Sequence, residues 1–166
     1  MRRSDREISS AEEIIEVMER CDVCRLAFND DGYPYILPLN FGMQVKDGEI
    51  TLFFHGAGEG KKYELLRKDN RVSFEMDCGH RLVTDKDKCS CTMEYESVIG
   101  RGRIELVPDE EKYSALCLLM AHYHKEDKEE CSFNFNKEVV SRTTVMKLKA
   151  EQLTGKRRMK AGKKQA

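Results

Sequence analysis

The residues best suited to chemistry lie at 55–62: His55-Gly56-Ala57-Gly58-Glu59-Gly60-Lys61-Lys62. Three glycines in five positions allow a backbone to approach a ligand closely. The pattern leads from an apolar, strand-like run into a short helical one, so free amides at the helix start would join the two lysines in a phosphate site. The spacing is neither GxxxxGK(S/T) nor GxGxxG, so neither standard nucleotide loop applies. The residues alone are equally compatible with a solvent-facing glycine loop whose lysines serve solubility. A second stretch, 93–102, reads Met-Glu-Tyr-Glu-Ser-Val-Ile-Gly-Arg-Gly. On a strand, Tyr95, Ser97 and Ile99 share one face, and on an inner face the phenol and hydroxyl could hydrogen-bond a ligand, the alternative being a sheet with a satisfied core tyrosine.

Other polar clusters carry less. Cys21-x-x-Cys24 and Cys89-x-Cys91, with Cys78 and His80, raise a zinc reading, but a single CxxC without a matching second fits no zinc spacing, and we expect no metal. Cys21–Cys24 also lacks the βαβ setting of a redox pair. His122 and His124 fall near a helix end and are read as surface partners of the helix dipole. His55 is the one histidine beside a ligand loop.

The elements that must position these residues are legible from patterning. Ser10 and Glu13 form a capping box for a helix whose face carries Ala11, Ile14, Ile15 and Met18, ending near Cys21. Strands follow at 23–28, 33–45 and 49–54, joined by Asp-Gly turns at 31–32 and 47–48. Pro34 and Pro38 each remove a ladder donor and point to a sheet edge or a distortion. A short helix carries Tyr63, Leu65 and Leu66. A strand at 71–78, a polar loop at 80–90 and a long strand at 93–107 come next, the last with a bend or bulge at Gly100 and Gly102. A helix from Pro108 carries Leu116, Leu119, Met120 and Tyr123. The pattern at 134–141 is ambiguous, and a last strand spans 143–148. Residues 1–155 read as one domain and 156–166 as a frayed basic tail. About six hairpin-linked strands favour an antiparallel barrel over an alternating β/α sheet.

Composition bounds the function classes. The chain has 166 residues, 40% apolar and 36% charged, which suits one globular domain. Its longest apolar run is far short of the roughly 18 residues of a membrane span, and residues 1–7 are charged rather than signal-like. Seven cysteines, an odd number, argue for free thiols in a cytoplasmic setting. Residues 147–166 carry a net +7 and the remainder −8, so an acidic body with a basic end argues against broad nucleic-acid coating.

Three segments then occur in a telling order: Tyr33-Pro34-Tyr35-Ile36-Leu37-Pro38-Leu39-Asn40-Phe41; Phe54-His55-Gly56-Ala57 with Gly60-Lys61-Lys62; and Tyr95-x-Ser97-Val98-Ile99-Gly100-x-Gly102. Together they resemble the FMN-binding split β-barrel proteins related to pyridoxamine 5′-phosphate oxidase, and within them the nitroimidazole-resistance (Nim-like) branch. The resemblance spans residues 8–155. It implies a mainly β fold, a six-stranded antiparallel split barrel with flanking helices, and a homodimer holding two FMN at its interface. It also implies that Leu37, Pro38, Leu39, Asn40 and Phe41 lie along the flavin ring. By the same resemblance His55, Gly56, Ala57, Gly60, Lys61 and Lys62 hold the phosphate, and Tyr95 and Ser97 close the other side.

Two departures argue against vitamin B6 as substrate. There is no tryptophan, and residues 156–160 read Lys-Arg-Arg-Met-Lys where the oxidases carry Arg-x-His. The resemblance thus implies a flavin-dependent reductase of small electron-poor molecules such as nitro compounds, with an unknown electron donor and His55 as the polar group nearest the reaction. The alternatives are a non-catalytic flavin or haem carrier or sensor, and a nucleic-acid-associated protein acting through its basic end.

Overall fold

The computed structural model describes residues 3–85, 90–124 and 133–159. Cys89 and the end of the chain past Met159 therefore lie outside the described residues. A short β1 (Glu7–Ile8) precedes α1 (Ala11–Arg20). Ser10 caps α1 as its sequence predicts, its hydroxyl accepting the Glu13 amide at 3.3 Å. The buried stripe of α1 is Ile14, Val17 and Met18, with Ala11 left exposed.

Two hairpins follow: β2 (Cys24–Asp30) with β3 (Tyr33–Leu39), and β4 (Gly42–Lys46) with β5 (Glu49–Gly56). In each turn both central residues have positive φ, Asp31 and Gly32 in one, Asp47 and Gly48 in the other, the twist that two-residue hairpins need. After α2 (Lys61–Lys68) come β6 (Arg71–Asp85) and β7 (Ser90–Leu106). The polar stretch from residue 80, expected as a loop, instead extends this hairpin beyond a register shift between Cys78 and Arg81. Ladder hydrogen bonds formed by the backbone alone let polar side chains continue a strand there. The second expected irregularity is present as a register shift between Arg101 and Gly102. Then come α3 (Lys112–Tyr123), α4 (Lys137–Arg142) and β8 (Thr144–Arg158). Residues 156–158 are not frayed: Arg158 pairs with Tyr95, and Lys156 pairs with both Ser97 and Glu7.

The strands form one antiparallel sheet in the order β3-β2-β6-β7-β8-β5-β4, with β1 added to β8. That makes eight strands rather than six, and the sheet is not closed by hydrogen bonds. Its two edges, β3 and β4, are nevertheless consecutive in the chain. Leu39 and Gly42 are three Cα steps apart, at most about 11 Å, so the sheet must curl until its edges face each other. This is a split barrel in outline. The expected single strand over 33–45 is broken at Asn40 and Phe41, where the chain crosses the split. Phe41 has no exposed surface and joins the barrel core with Phe28, Phe54, Phe74, Leu52, Met76 and Leu148. A second cluster, Phe53, Val107, Ala115 and Val145, fixes α3 outside β5. Among the described residues no helix is long and apolar enough to cross a membrane.

Candidate functional site

The loop after β5 is a constructed cradle. Gly56 pairs with Thr144 of β8, which brings the Thr144 hydroxyl to the loop from 88 residues away in sequence. A Cβ at Gly58 would lie 3.3 Å from Thr144 Oγ1. A Cβ at Gly56 would lie 3.3 Å from Lys62 Nζ and 3.5 Å from Tyr63 Oη, so these two polar groups press on the glycine backbone. Tyr63 is 3% exposed, and its hydroxyl makes no hydrogen bond of ordinary geometry. Burial pushes its pKa up, and the Thr144 hydroxyl partly offsets this. Gly60 starts α2 at φ 119°, with no side chain capping the helix.

The two lysines, expected to act as a pair, have separate roles. Lys61 reaches back to Asp30 of β2 at 2.5 Å and lies over the Tyr35 ring. That carboxylate raises its pKa and neutralises its charge. Lys62 is half-buried, its ammonium 4.4 Å from the centre of the Tyr63 ring, with no carboxylate partner among the described residues. The uncompensated charge at the cradle is therefore that of Lys62. Sequence reasoning missed Tyr63, read only as an apolar helix residue, and Thr144, for which no local signal exists. His55 is exposed at the end of β5, opposite Val145, and Ala57 is exposed on the loop.

Leu37, Pro38 and Leu39 lie on the edge strand β3, the place in a sheet where proline is tolerated. Asn40 and Phe41 are tied down by the end of α3. Tyr123 Oη accepts the Phe41 amide at 3.0 Å and Asn40 Nδ2 at 3.1 Å, and donates to the Asp22 carbonyl at 2.7 Å. The Phe41 ring packs against His122, 4.2 Å between centroids. His122 is thus a half-buried packing residue rather than a surface one, its Nε2 2.8 Å from the Cys21 carbonyl oxygen.

Tyr95 and Ser97 are half-buried on β7. Ser97 faces Lys156 of β8, whereas His55 faces Val145, eleven positions earlier on that strand. At about 3.3 Å per residue this is roughly 36 Å of strand. One chain therefore assembles the loop, Lys62, Tyr63 and Thr144, but sets Tyr95 and Ser97 at the other end of β8.

A sequence profile of the family described as pyridoxamine 5′-phosphate oxidase matches residues 10–157. The chain belongs to the pyridoxamine 5′-phosphate oxidase family. Among solved structures it is similar to a candidate 5-nitroimidazole antibiotic resistance protein of Bacteroides thetaiotaomicron, at 34% identity and TM-score 0.76, covering 90% of this chain and 85% of that one. It is also similar to an FAD-binding protein of Mesorhizobium loti, at 26% identity and TM-score 0.62 over 93% and 98% of the two chains. An FAD and heme binding protein of Mycobacterium smegmatis, 16% identical, shares the fold at TM-score 0.75 over 96% of this chain and 77% of that one. No protein of curated function matches the sequence.

In this family member residues 156–158 are bound into the body. Glu96, 6% exposed on β7, receives Arg20 at 2.7 Å and also Arg157, which reaches Glu13 at 3.1 Å. Burial alone would push the Glu96 carboxyl up, but the two guanidiniums outweigh it and hold it below the ordinary range. Arg157 thus clamps α1, β7 and β8 together. Cys21, Cys24, Cys78 and Cys91 are free thiols, whereas Cys117 is disulfide-bonded, which corrects the expectation of free thiols throughout. Cys117 is on the buried side of α3, where sequence spacing could not reveal a covalent tie. Among the described residues no group of three or more His, Cys, Asp or Glu is placed to hold a metal.

Proposed function

We propose that this protein is an FMN-binding flavoprotein that reduces small electron-poor molecules such as nitro compounds, using an electron donor still to be identified. The observation that carries the reading is the half-buried Lys62 ammonium, without a carboxylate partner among the described residues, set beside the unbonded Tyr63 hydroxyl at the Gly56 backbone. A cation and a hydroxyl left unmatched at a glycine cradle fit a phosphomonoester, whose desolvation needs charge-assisted donors. Membership in the pyridoxamine 5′-phosphate oxidase family and the 34% identity to the candidate nitroimidazole-resistance protein support a flavin phosphate over other phosphates.

In this reading Lys62, Tyr63 and the amides of Gly60 and Lys61 hold the phosphate, and Gly56, Ala57 and His55 flank it. The open edge of β3 at Leu37, Pro38 and Leu39 meets the ring, while Asn40 and Phe41 hold that edge in place through Tyr123. Bound FMN would supply the redox chemistry. The chain's part is to bind the phosphate, orient the ring and leave one face open, with His55 as the polar side chain proposed beside the substrate. The separation of Tyr95 and Ser97 from the loop along β8 supports a homodimer in which these residues serve the site of the other copy. The missing tryptophan and Arg-x-His support a substrate other than vitamin B6.

The absorbance spectrum of the purified protein, followed by anaerobic reduction and reoxidation with a nitroimidazole, tests the proposal. Flavin bands that bleach and return with consumption of the nitro compound support it. A haem Soret band, or flavin that stays reduced in the presence of the nitro compound, favours the carrier reading.

A further inference from the structure

The barrel brings together two thiols that are far apart in sequence. Cys21 follows the last turn of α1 in extended conformation, and its Sγ donates to the Val17 carbonyl at 3.2 Å. Cys78 belongs to the inward row of β6 with Val72, Phe74 and Met76, and packs against the core cluster that contains Cys21. Its Sγ points at the same Val17 carbonyl, at 3.9 Å. The two sulfurs therefore converge on one oxygen. Each also shifts the other: its hydrogen bond with Cys21 lowers the Cys78 pKa, and the same bond raises that of Cys21. Arg20 of α1 favours the Cys78 thiolate, while burial and Glu96 of β7 oppose it. Immediately after Cys78, Gly79 takes φ +67° and the register slips, which opens the row to solvent. Cys78 is half-buried, Cys21 fully buried.

We propose that Cys78 and Cys21 form a redox-modification site for low-molecular-weight disulfides, with Cys78 attacking and Cys21 resolving. The Cys78 thiol loses its proton to solvent. Its thiolate attacks one sulfur of the disulfide RSSR, forming the mixed disulfide Cys78–S–SR and expelling RS⁻, which takes up a proton. The Cys21 thiol then attacks the Cys78 sulfur and gives up its proton to the second leaving thiolate. Two protein thiols are oxidised and one RSSR is reduced to two RSH. The product bond would clip the end of α1 to β6, one residue from Asp77, which pairs with Ser97 of the candidate site. Cys24, the CxxC neighbour, does not take part: it is fully buried on β2, and the Val17 carbonyl on which the other two sulfurs converge is reached from Cys21 and Cys78, not from Cys24.

The test is peptide mapping of the full-length protein after incubation with glutathione disulfide, with free thiols alkylated in denaturant and no reductant added. The expected product joins the peptide 21–25 to the peptide 72–81, with fragmentation assigning the bond to Cys21, and it is lost on reduction. Cys24→Ser should leave it unchanged, and Cys21→Ser should stop at one glutathione on Cys78. A bond from Cys21 to Cys24, a bond from Cys78 to Cys91, or free alkylated Cys21 and Cys78 throughout overturns the proposal. The wild-type map alone decides it should a variant not fold.

Discussion

Replacing Lys62 by alanine should separate the two lysines that share the start of α2. The Lys62 ammonium has no carboxylate to satisfy it among the described residues and lies at the glycine cradle, so its charge is available to a phosphate. A hydrogen bond to a charged group contributes about 1.5–3 kcal/mol, and every 1.4 kcal/mol is tenfold in affinity. Lys62→Ala should therefore weaken FMN about 10- to 100-fold. Lys61 must first release Asp30, an ion pair with the lysine half exposed, and such pairs are worth about 0.2–1 kcal/mol. Breaking that pair takes up to about fivefold from any contact Lys61 makes, so Lys61→Ala should weaken FMN by a factor up to about fivefold smaller than Lys62→Ala does. Titration of apoprotein with FMN and with riboflavin, followed by flavin fluorescence, gives both numbers. Riboflavin has no phosphate, so its affinity should move by less than about twofold in either variant. Equal losses for Lys61→Ala and Lys62→Ala, or equal losses of FMN and riboflavin, would refute the assignment of Lys62 as the phosphate cation.

Tyr63→Phe removes a buried hydroxyl that has no hydrogen bond of ordinary geometry, so the apoprotein should keep its stability in urea to within about 0.5 kcal/mol, while FMN binding weakens by about 0.5–1.5 kcal/mol. Glu96→Gln leaves the part-exposed Arg20 and Arg157 facing a neutral amide and should cost about 1.5–3 kcal/mol at pH 7 by urea denaturation. The folded Glu96 carboxyl titrates below its unfolded value, so it stabilises the fold above the ordinary glutamate range and that share is lost as pH falls through the lower, folded value. Stability of Glu96→Gln should accordingly fall less steeply between about pH 5 and 3 than that of the wild type; parallel curves would count against the ion network. Phe41→Ala should destabilise by about 3–5 kcal/mol, because the ring is fully buried where the chain crosses the split. Sedimentation should show a dimer, and a monomer that retains its full flavin content would remove the shared-site reading.

Local signals fixed much of this protein. The Ser10 cap set the start of α1, and the Asp31-Gly32 and Asp47-Gly48 pairs set two hairpins, because each is decided by local preferences within four residues. The order of three motifs was enough to expect a barrel of this family and a glycine-loop site after β5. Strand ends were less legible. The stretch after residue 80 and the segment at 156–158 look polar, yet a partner strand supplies their hydrogen bonds, and that partner is distant in sequence. The break at Asn40 and Phe41 depends on Tyr123, more than 80 residues later, which captures both amides only after α3 docks on the barrel. The same reason governs the site. In sequence Lys61 and Lys62 are equivalent; in the fold Asp30 neutralises one, while the β5–β8 register brings Thr144 beside the loop near the other. Cys21 has Cys24 three residues on in sequence, yet the fold turns it toward Cys78. Spacing tells what chemistry a residue could do, but a charge or a thiol acquires its reactivity from neighbours a few ångströms away, and those neighbours are chosen by how the sheet curls.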